Sequence, residues 1–391
     1  MGRKKYEVVS ADVHILEPPD IWEKHLPKKY AEHAPKLVKD HEGGDAWQFS
    51  VGAPDPIGLV STPGRRFEEF KWFGVTYDET RPGCWDGKER LRDMDIDGVD
   101  AEVIFPPQRT MGHWLSMPDE EISLAGIDAY NEFVFDEFAA ADPERLIPCY
   151  QIPNLGVDVA LKYLDKAIKK KAHTVVISAW PSGGENITPE DDAFWQACVD
   201  ANMPVNIHIS LMSRASGVKS YEAGQKVTSG VKKGAGAANA RAVGAMSGVF
   251  TRTTPVFVGF FFSGVLDRFP DLQIVLTETG VGWIPHYLEQ LDDRYWRNRG
   301  WGELTIKEPP SYYWHKNMAA TFMIDFTGVY QRHLVGVKNM MWSTDYPHHG
   351  NDWPYSRVRI NEQMVGVSDE DRYEILAGNA VRIFNLPENA N

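Results

Sequence analysis

Short apolar runs recur along this chain with helical patterns between them, and that alternation limits the fold more than any other feature. The runs are Tyr6–Ser10, Val99–Phe105, Arg145–Ile152, Thr174–Ser178, Met203–Ile209, Gln273–Glu278, Asn317–Asp325 and Asn339–Asp345. Several are continuous, as in Thr174-Val175-Val176-Ile177-Ser178, which marks strands covered on both faces. Helical stretches separate them over Lys88–Asp97, Pro118–Ala141, Val157–Lys171, Asp191–Asp200, Pro255–Asp267 and Val281–Arg294, and a last one covers Tyr373–Arg382. Strands separated by helices pair in parallel, because a hairpin cannot join them. Eight such strands favour an α/β fold of the (β/α)8 TIM-barrel type over an open sheet, in one domain spanning 1–391.

Two segments interrupt the rhythm. From 34 to 85 the sequence breaks into short aromatic pieces punctuated by Gly43-Gly44, Pro54, Pro56, Pro63-Gly64 and Pro82-Gly83. This predicts an inserted hairpin region after strand one, lying near the mouth of the barrel. From 210 to 246 Gly, Ala, Ser and Lys dominate, which predicts a long loop after strand five. Asp20 is placed to cap a short helix over Ile21–His25, and Gln108–Leu115 reads as a loop after strand two.

Composition narrows the function classes. The 391 residues are 43% hydrophobic and 25% charged, enough to bury a large core. A net charge of −14 argues against nucleic-acid or anionic-membrane partners, since phosphates attract basic surfaces. The three cysteines, Cys84, Cys149 and Cys198, form no CxxC pair and read as free thiols of a reducing compartment. The first residues carry no apolar signal segment, and no apolar run reaches the length of a membrane span. The expectation is a cytoplasmic protein acting on a small molecule.

In a parallel barrel, function collects where strands end and the following loops begin. Strand one ends in Asp12 and His14, two apart and therefore on one face. Strand five carries His208, strand six ends in Glu278, and strand eight ends in Asp345. Buried carboxylates converging on one rim repel each other or stay protonated unless a cation sits between them. A divalent metal ion resolves that conflict. Glu17, three residues past His14, is a further candidate ligand or the partner of a nearby basic residue. Glu278 reads equally as a ligand, as an acid/base, or as a carboxylate bonded to a ligand histidine. Arg109, His113 and Trp114 follow strand two and His348 and His349 follow Asp345, which makes all five candidate substrate contacts, with one of the two histidines alternatively a ligand to a second ion.

The phrases SADVHILEPPDIW, FPDLQIVLTETGVGWIPHYLEQLDDR, MMWSTDYPH and ILAGNAVRIF also resemble the amidohydrolase superfamily. Within it the similarity is to the branch of amidohydrolase-2 proteins and aminocarboxymuconate-semialdehyde decarboxylase. The resemblance implies a barrel in which Asp12, His14, His208 and Asp345 hold a divalent ion. Two positions depart from the pattern: Asp12 stands where HxH is usual, and Glu278 stands where decarboxylases carry a histidine. Both swaps replace nitrogen with oxygen, which shifts the expected metal from Zn toward Mn or Fe.

The leading expectation is a metal-dependent hydrolase or non-oxidative decarboxylase with one ion, in which Asp345, Glu278 and His208 do the chemistry. An alternative is a dinuclear Fe or Mn centre that activates oxygen and hydroxylates its substrate. A third is a catalytically degenerate barrel serving as a structural subunit. The aromatic insertion and the Gly/Ala/Lys segment suggest a homo- or hetero-oligomer.

Overall fold

A computed structural model describes residues 5–50, 52–212, 219 and 236–387. Eight parallel strand positions follow one another as the alternation predicts. They are β1 (Val9–His14), β5 (Ala101–Phe105), β6 (Leu146–Pro148) with β7 (Tyr150–Gln151), β8 (Val175–Ala179), β9 (Val205–Met212), β10 (Ile274–Thr277), β11 (Met318–Phe322) and β12 (Met340–Trp342). Strands β1, β5 and β6 pair in that order, and β7 through β12 form a second run, every pair parallel. β6 and β7 are two pieces of one barrel strand interrupted at Cys149, whose N–H donates to Ile104 O at 2.8 Å. At the other edge Asp345 N donates to Asp12 O at 3.0 Å and His14 N to Tyr346 O at 2.6 Å, tying the segment after β12 to β1.

Each strand buries apolar side chains against the surrounding helices. A second cluster gathers Val9, Ala11, Val103, Ile147, Val176, Val275, Ala319 and Met341, mostly one from each strand, and Ala377, Val381 and Phe384 of the C-terminal segment pack against it. Ligand-type residues crowd the opposite ends of the strands, as barrel architecture requires.

The inserted segment contains an antiparallel sheet of β2 (Lys36–Lys39), β3 (Asp45–Gln48) and β4 (Asp55–Pro56). Among its contacts with the barrel loops, Ser50 Oγ meets His113 Nδ1 at 3.3 Å, Asp55 Oδ1 meets Arg109 Nη1 at 3.3 Å, and Thr62 Oγ1 donates to His348 O at 2.9 Å.

Several local expectations need correction. Strand one runs 9–14 rather than 6–10, because the Glu7 and Val8 amides bond to Asp100 Oδ2 (2.7 and 2.8 Å) instead of joining the ladder. Gln108–Leu115 is a helix, not a loop; Met111, Trp114 and Leu115 are spaced for one helical face and all are buried. The helix expected to start at Pro255 spans Val249–Phe262 with the proline inside it. The carbonyl of Thr251, which that proline cannot reach, accepts the Thr254 hydroxyl at 3.0 Å. Asp20 makes no capping bond and pairs with Lys24 at 2.9 Å. Of the loop expected over 210–246, the start extends β9 to Met212 and the end begins a helix over Gly236–Ser247. Residues 213–218 and 220–235 lie outside the described residues.

Trp114 is fully buried, with its ring 5.2 Å from that of Trp22 and its face against Gly126. A Cβ at Gly126 would overlap the indole. Gly126→Ala is therefore expected to destabilise the fold by about 1–3 kcal/mol through overpacking, read as a lower urea midpoint with an unchanged slope.

Candidate metal centre

Six side chains from four strand ends converge. Asp12 and His14 lie in β1, whose register against β5 shifts between Ser10 and Val13. His208 lies in β9 opposite Thr277, Glu278 directly follows β10, and Asp345 and His348 follow β12. Glu278 and Asp345 both adopt left-handed backbone conformations, φ 59° and 56°. Such conformations cost energy in a non-glycine residue and persist where neighbours enforce them. Here Glu278 N donates to Thr321 Oγ1 at 2.8 Å and Asp345 N to Asp12 O at 3.0 Å.

The distances are those of a ligand set. His14 Nε2 lies 3.0 Å from His208 Nε2, 3.6 Å from Asp12 Oδ1 and 3.7 Å from Asp345 Oδ1. His208 Nε2 lies 3.5 Å from both Asp12 Oδ1 and Glu278 Oε2. His348 Nδ1 approaches Asp345 Oδ1 at 3.0 Å, and its ring stacks on His14 at 4.2 Å. Donor atoms of Asp12, His14, His208 and Glu278 all fall within 4.8 Å of one another, as do those of His14, Glu278, Asp345 and His348.

Burial makes this cluster costly unless it takes up protons or a cation. Both carboxylate oxygens of Asp12 and Oδ1 of Asp345 are buried with no hydrogen-bond partner among the described residues. A buried polar atom left this way costs free energy that a cation recovers. Burial pushes the Glu278 carboxyl up to about 8, with the charge of Asp345 adding to it. Burial likewise raises Asp345 well above the ordinary carboxylate range, and Asp12 adds to it. Burial lowers His14 and His348, and each is lowered further by other histidines of the cluster. His14 therefore stays neutral and keeps a lone pair to donate. Burial pulls His208 down too, but Asp12, Glu278 and Asp345 outweigh it and raise the ring. The mixed imidazole and carboxylate set, with its orphaned oxygens, fits a divalent ion such as Mn, Fe or Zn.

Metal affinity should follow these protonation states. Between about 4.5 and about 8, Glu278 holds its proton in the folded protein but has lost it in the unfolded chain. The metal-free protein therefore loses stability as pH rises through that window. A metal held in part by Glu278 would displace the same proton, and affinity for Mn(II) would then climb over the same window. Isothermal titration at several pH values, alongside melting of the metal-free protein, measures both trends.

The other candidates divide. Glu17 is buried outside the cluster; its Oε1 accepts the Thr110 hydroxyl, and burial raises its carboxyl to about 7. Arg109 pairs with Asp55, and its buried Nη1 makes no hydrogen bond among the described residues. His113, buried, meets Ser50 Oγ of the insertion at 3.3 Å and His33 O just before it at 3.1 Å, and Trp114 belongs to the core rather than the mouth. His349 is exposed beside the cluster residue His348.

Two residues escaped the sequence reading. Gln108, at the end of strand two, contacts His208 Nδ1. Its position past a strand end was the available signal. Arg90 is fully buried and donates to His14 O at 2.7 Å from beneath the site; nothing in its local sequence marks it.

Known proteins share this arrangement of the chain. Decarboxylase orsB of Emericella nidulans is 23% identical over 320 residues, covering 79% of this chain and 90% of that protein. The 2-amino-3-carboxymuconate-6-semialdehyde decarboxylase of Dictyostelium discoideum is 20% identical over 339 residues, 81% of each. Among solved structures, a dihydroxybenzoic acid decarboxylase from Polaromonas sp. JS666, with bound manganese and the inhibitor 2-nitroresorcinol, superposes with a TM-score of 0.63 at 15% identity over 97% of both chains. That likeness carries the barrel fold. The amidohydrolase profile matches residues 11–386, from the strand that bears Asp12 to the last turn of the chain. The chain belongs to the amidohydrolase family.

Proposed function

We propose that this protein is a metal-dependent non-oxidative decarboxylase of a small organic acid. The observation that carries the reading is the buried cluster of Asp12, His14, His208, Glu278 and Asp345 with unpartnered carboxylate oxygens. The names of the relatives favour loss of CO2 over hydrolysis, for which the same cluster would also serve. A divalent ion, when bound, would supply Lewis acidity toward the substrate carboxylate. Asp12, His14 and His208 hold that ion, His14 through the lone pair that burial keeps free. Asp345, its carboxyl raised by burial, carries the proton that replaces CO2 on carbon as the C–C bond breaks. Arg109, held by its ion pair with Asp55, and His348 at the cluster edge orient the substrate.

A second reading has its own observation. The two overlapping quartets share His14 and Glu278, and each contains a different orphaned carboxylate, Asp12 or Asp345. Two ions of Fe or Mn would suit oxygen activation and hydroxylation. Elemental analysis of protein purified without added metal separates the readings: one equivalent supports decarboxylation and two support the dinuclear centre. Chelation should abolish CO2 release from hydroxybenzoates and Mn(II) should restore it; full activity in the stripped protein overturns the first reading. A donor set this complete speaks against a degenerate structural subunit.

The same proposal treats the chain as one catalytic unit that includes segments 34–85 and 210–246. A cytoplasmic setting is supported by three free, buried cysteines, and no helix among the described residues is long and apolar enough to cross a membrane. An oligomer is supported by exposed Ile324, Phe326, Tyr330, Leu334, Tyr355 and Val358. Light scattering that returned only monomer would contradict it.

A further inference from the structure

Three consecutive residues at the start of the helix Gln108–Leu115 reach three different parts of the molecule. The Gln108 amide contacts His208 Nδ1, Arg109 pairs with Asp55 of the insertion at 3.3 Å, and the Thr110 hydroxyl bonds to buried Glu17. The Gln108 side chain is thus set against His208 by anchors on its C-terminal side and by Pro106-Pro107 before it.

His208 presents its other ring nitrogen to the cluster. Nε2 lies 3.0 Å from His14 Nε2 and 3.5 Å from Asp12 Oδ1 and Glu278 Oε2. A neutral imidazole has one protonated nitrogen and one lone pair. For Nε2 to donate to a cation, the proton must sit on Nδ1 and needs an acceptor there. Among the described residues Gln108 Nε2 is the hydrogen-bond partner placed against Nδ1, and a half-turn of the amide brings Oε1 there instead. Either end of the amide can therefore face the ring.

We propose that Gln108 is a positioning residue: its amide oxygen accepts the Nδ1–H of His208 and so directs the Nε2 lone pair into the metal cluster. The inference rests on the metal-dependent reading above and holds for one ion or two. An amide oxygen is a weaker acceptor than the carboxylate that commonly backs a metal-bound histidine. It fixes the tautomer while leaving the imidazole a milder donor, and the ion keeps more of its Lewis acidity. The opposite amide orientation would place the proton on Nε2, making His208 a hydrogen-bond donor to Asp12 or Glu278 rather than a ligand.

The test compares the full chain with Gln108→Leu and Gln108→Glu, each stripped by chelation and titrated with Mn(II), with Co(II) absorption as a second readout. Gln108→Leu should weaken Mn(II) binding roughly 10–100-fold, while Gln108→Glu, which builds a carboxylate–histidine pair, should bind at least as tightly as the unaltered chain. Packing alone would move both variants the same way, so opposite directions are the signature. The metal-free melting temperature, unchanged in both, excludes a folding defect. Gln108→Leu binding Mn(II) as the unaltered chain does, or Gln108→Glu weakening alongside it, overturns this inference alone. An unaltered chain that binds no Mn(II) overturns the metal-dependent reading and this inference together.

Discussion

Asp345→Asn is expected to lower kcat for decarboxylation by roughly 10²–10⁴-fold, the usual worth of a positioned acid or base. Asparagine keeps the shape and one oxygen donor but cannot carry a proton. Metal should remain bound through Asp12, His14 and His208, whose donors stand within 4.8 Å of one another independently of Asp345. Parallel elemental analysis is therefore essential: lost activity with metal retained identifies a proton-transfer role, whereas lost activity with lost metal identifies a ligand alone. A kcat within tenfold of the unaltered enzyme would remove Asp345 from the chemistry. Burial, with repulsion from Asp12 added to it, raises the native carboxyl, and the amide form removes both costs. The metal-free variant should consequently lose less stability than the metal-free parent as pH rises above the ordinary carboxylate range.

Arg90→Met should produce the largest loss of stability, about 3–5 kcal/mol, because it strands a buried charge. Arg90 is fully buried; Nη1 bonds to Glu102 Oε2 at 2.8 Å, Nε donates to Gly83 O and Nη2 to His14 O, both at 2.7 Å. Its guanidinium also lies 4.1 Å from the centre of the Tyr346 ring. One side chain therefore joins β1 at His14, the end of the insertion and the residue after Asp345. Removing it leaves Glu102, 3% exposed, without its counter-charge, and leaves two carbonyls without these donors. Adding Glu102→Leu should recover much of the loss, since a buried pair replaced by apolar side chains is far less costly than a broken one. Urea denaturation of the single and double variants measures this. A double variant as unstable as Arg90→Met would show that the backbone bonds, not the ion pair, dominate. Mn(II) affinity should fall in both, because the His14 carbonyl is released in both.

How much of this was legible before folding differs from element to element. The parallel barrel was, because buried strands are written as apolar runs and the helices between them as apolar stripes. The strand-end residues Asp12, His14, His208, Glu278 and Asp345 were also visible, because polar groups after an apolar run stand out. Yet Trp114 looked like a substrate contact and proved to be core, and the loop over Gln108–Leu115 proved to be a helix. The spacing of Met111, Trp114 and Leu115 already suits a helix, and packing against the distant Trp22 and Gly126 placed Trp114 in the core.

By itself, then, the sequence determined which side chains were available and that parallel strands would deliver them to a common rim, since periodicity and residue chemistry are local properties. Only the tertiary structure decided which atoms meet. Placing Gln108 on His208, Arg90 under His14 and His348 against Asp345 depends on strand register and backbone turns between segments far apart in the chain. The stranded oxygens of Asp12 and Asp345 likewise exist only after burial has removed water, and that loss of solvent turns five scattered residues into a place for a cation.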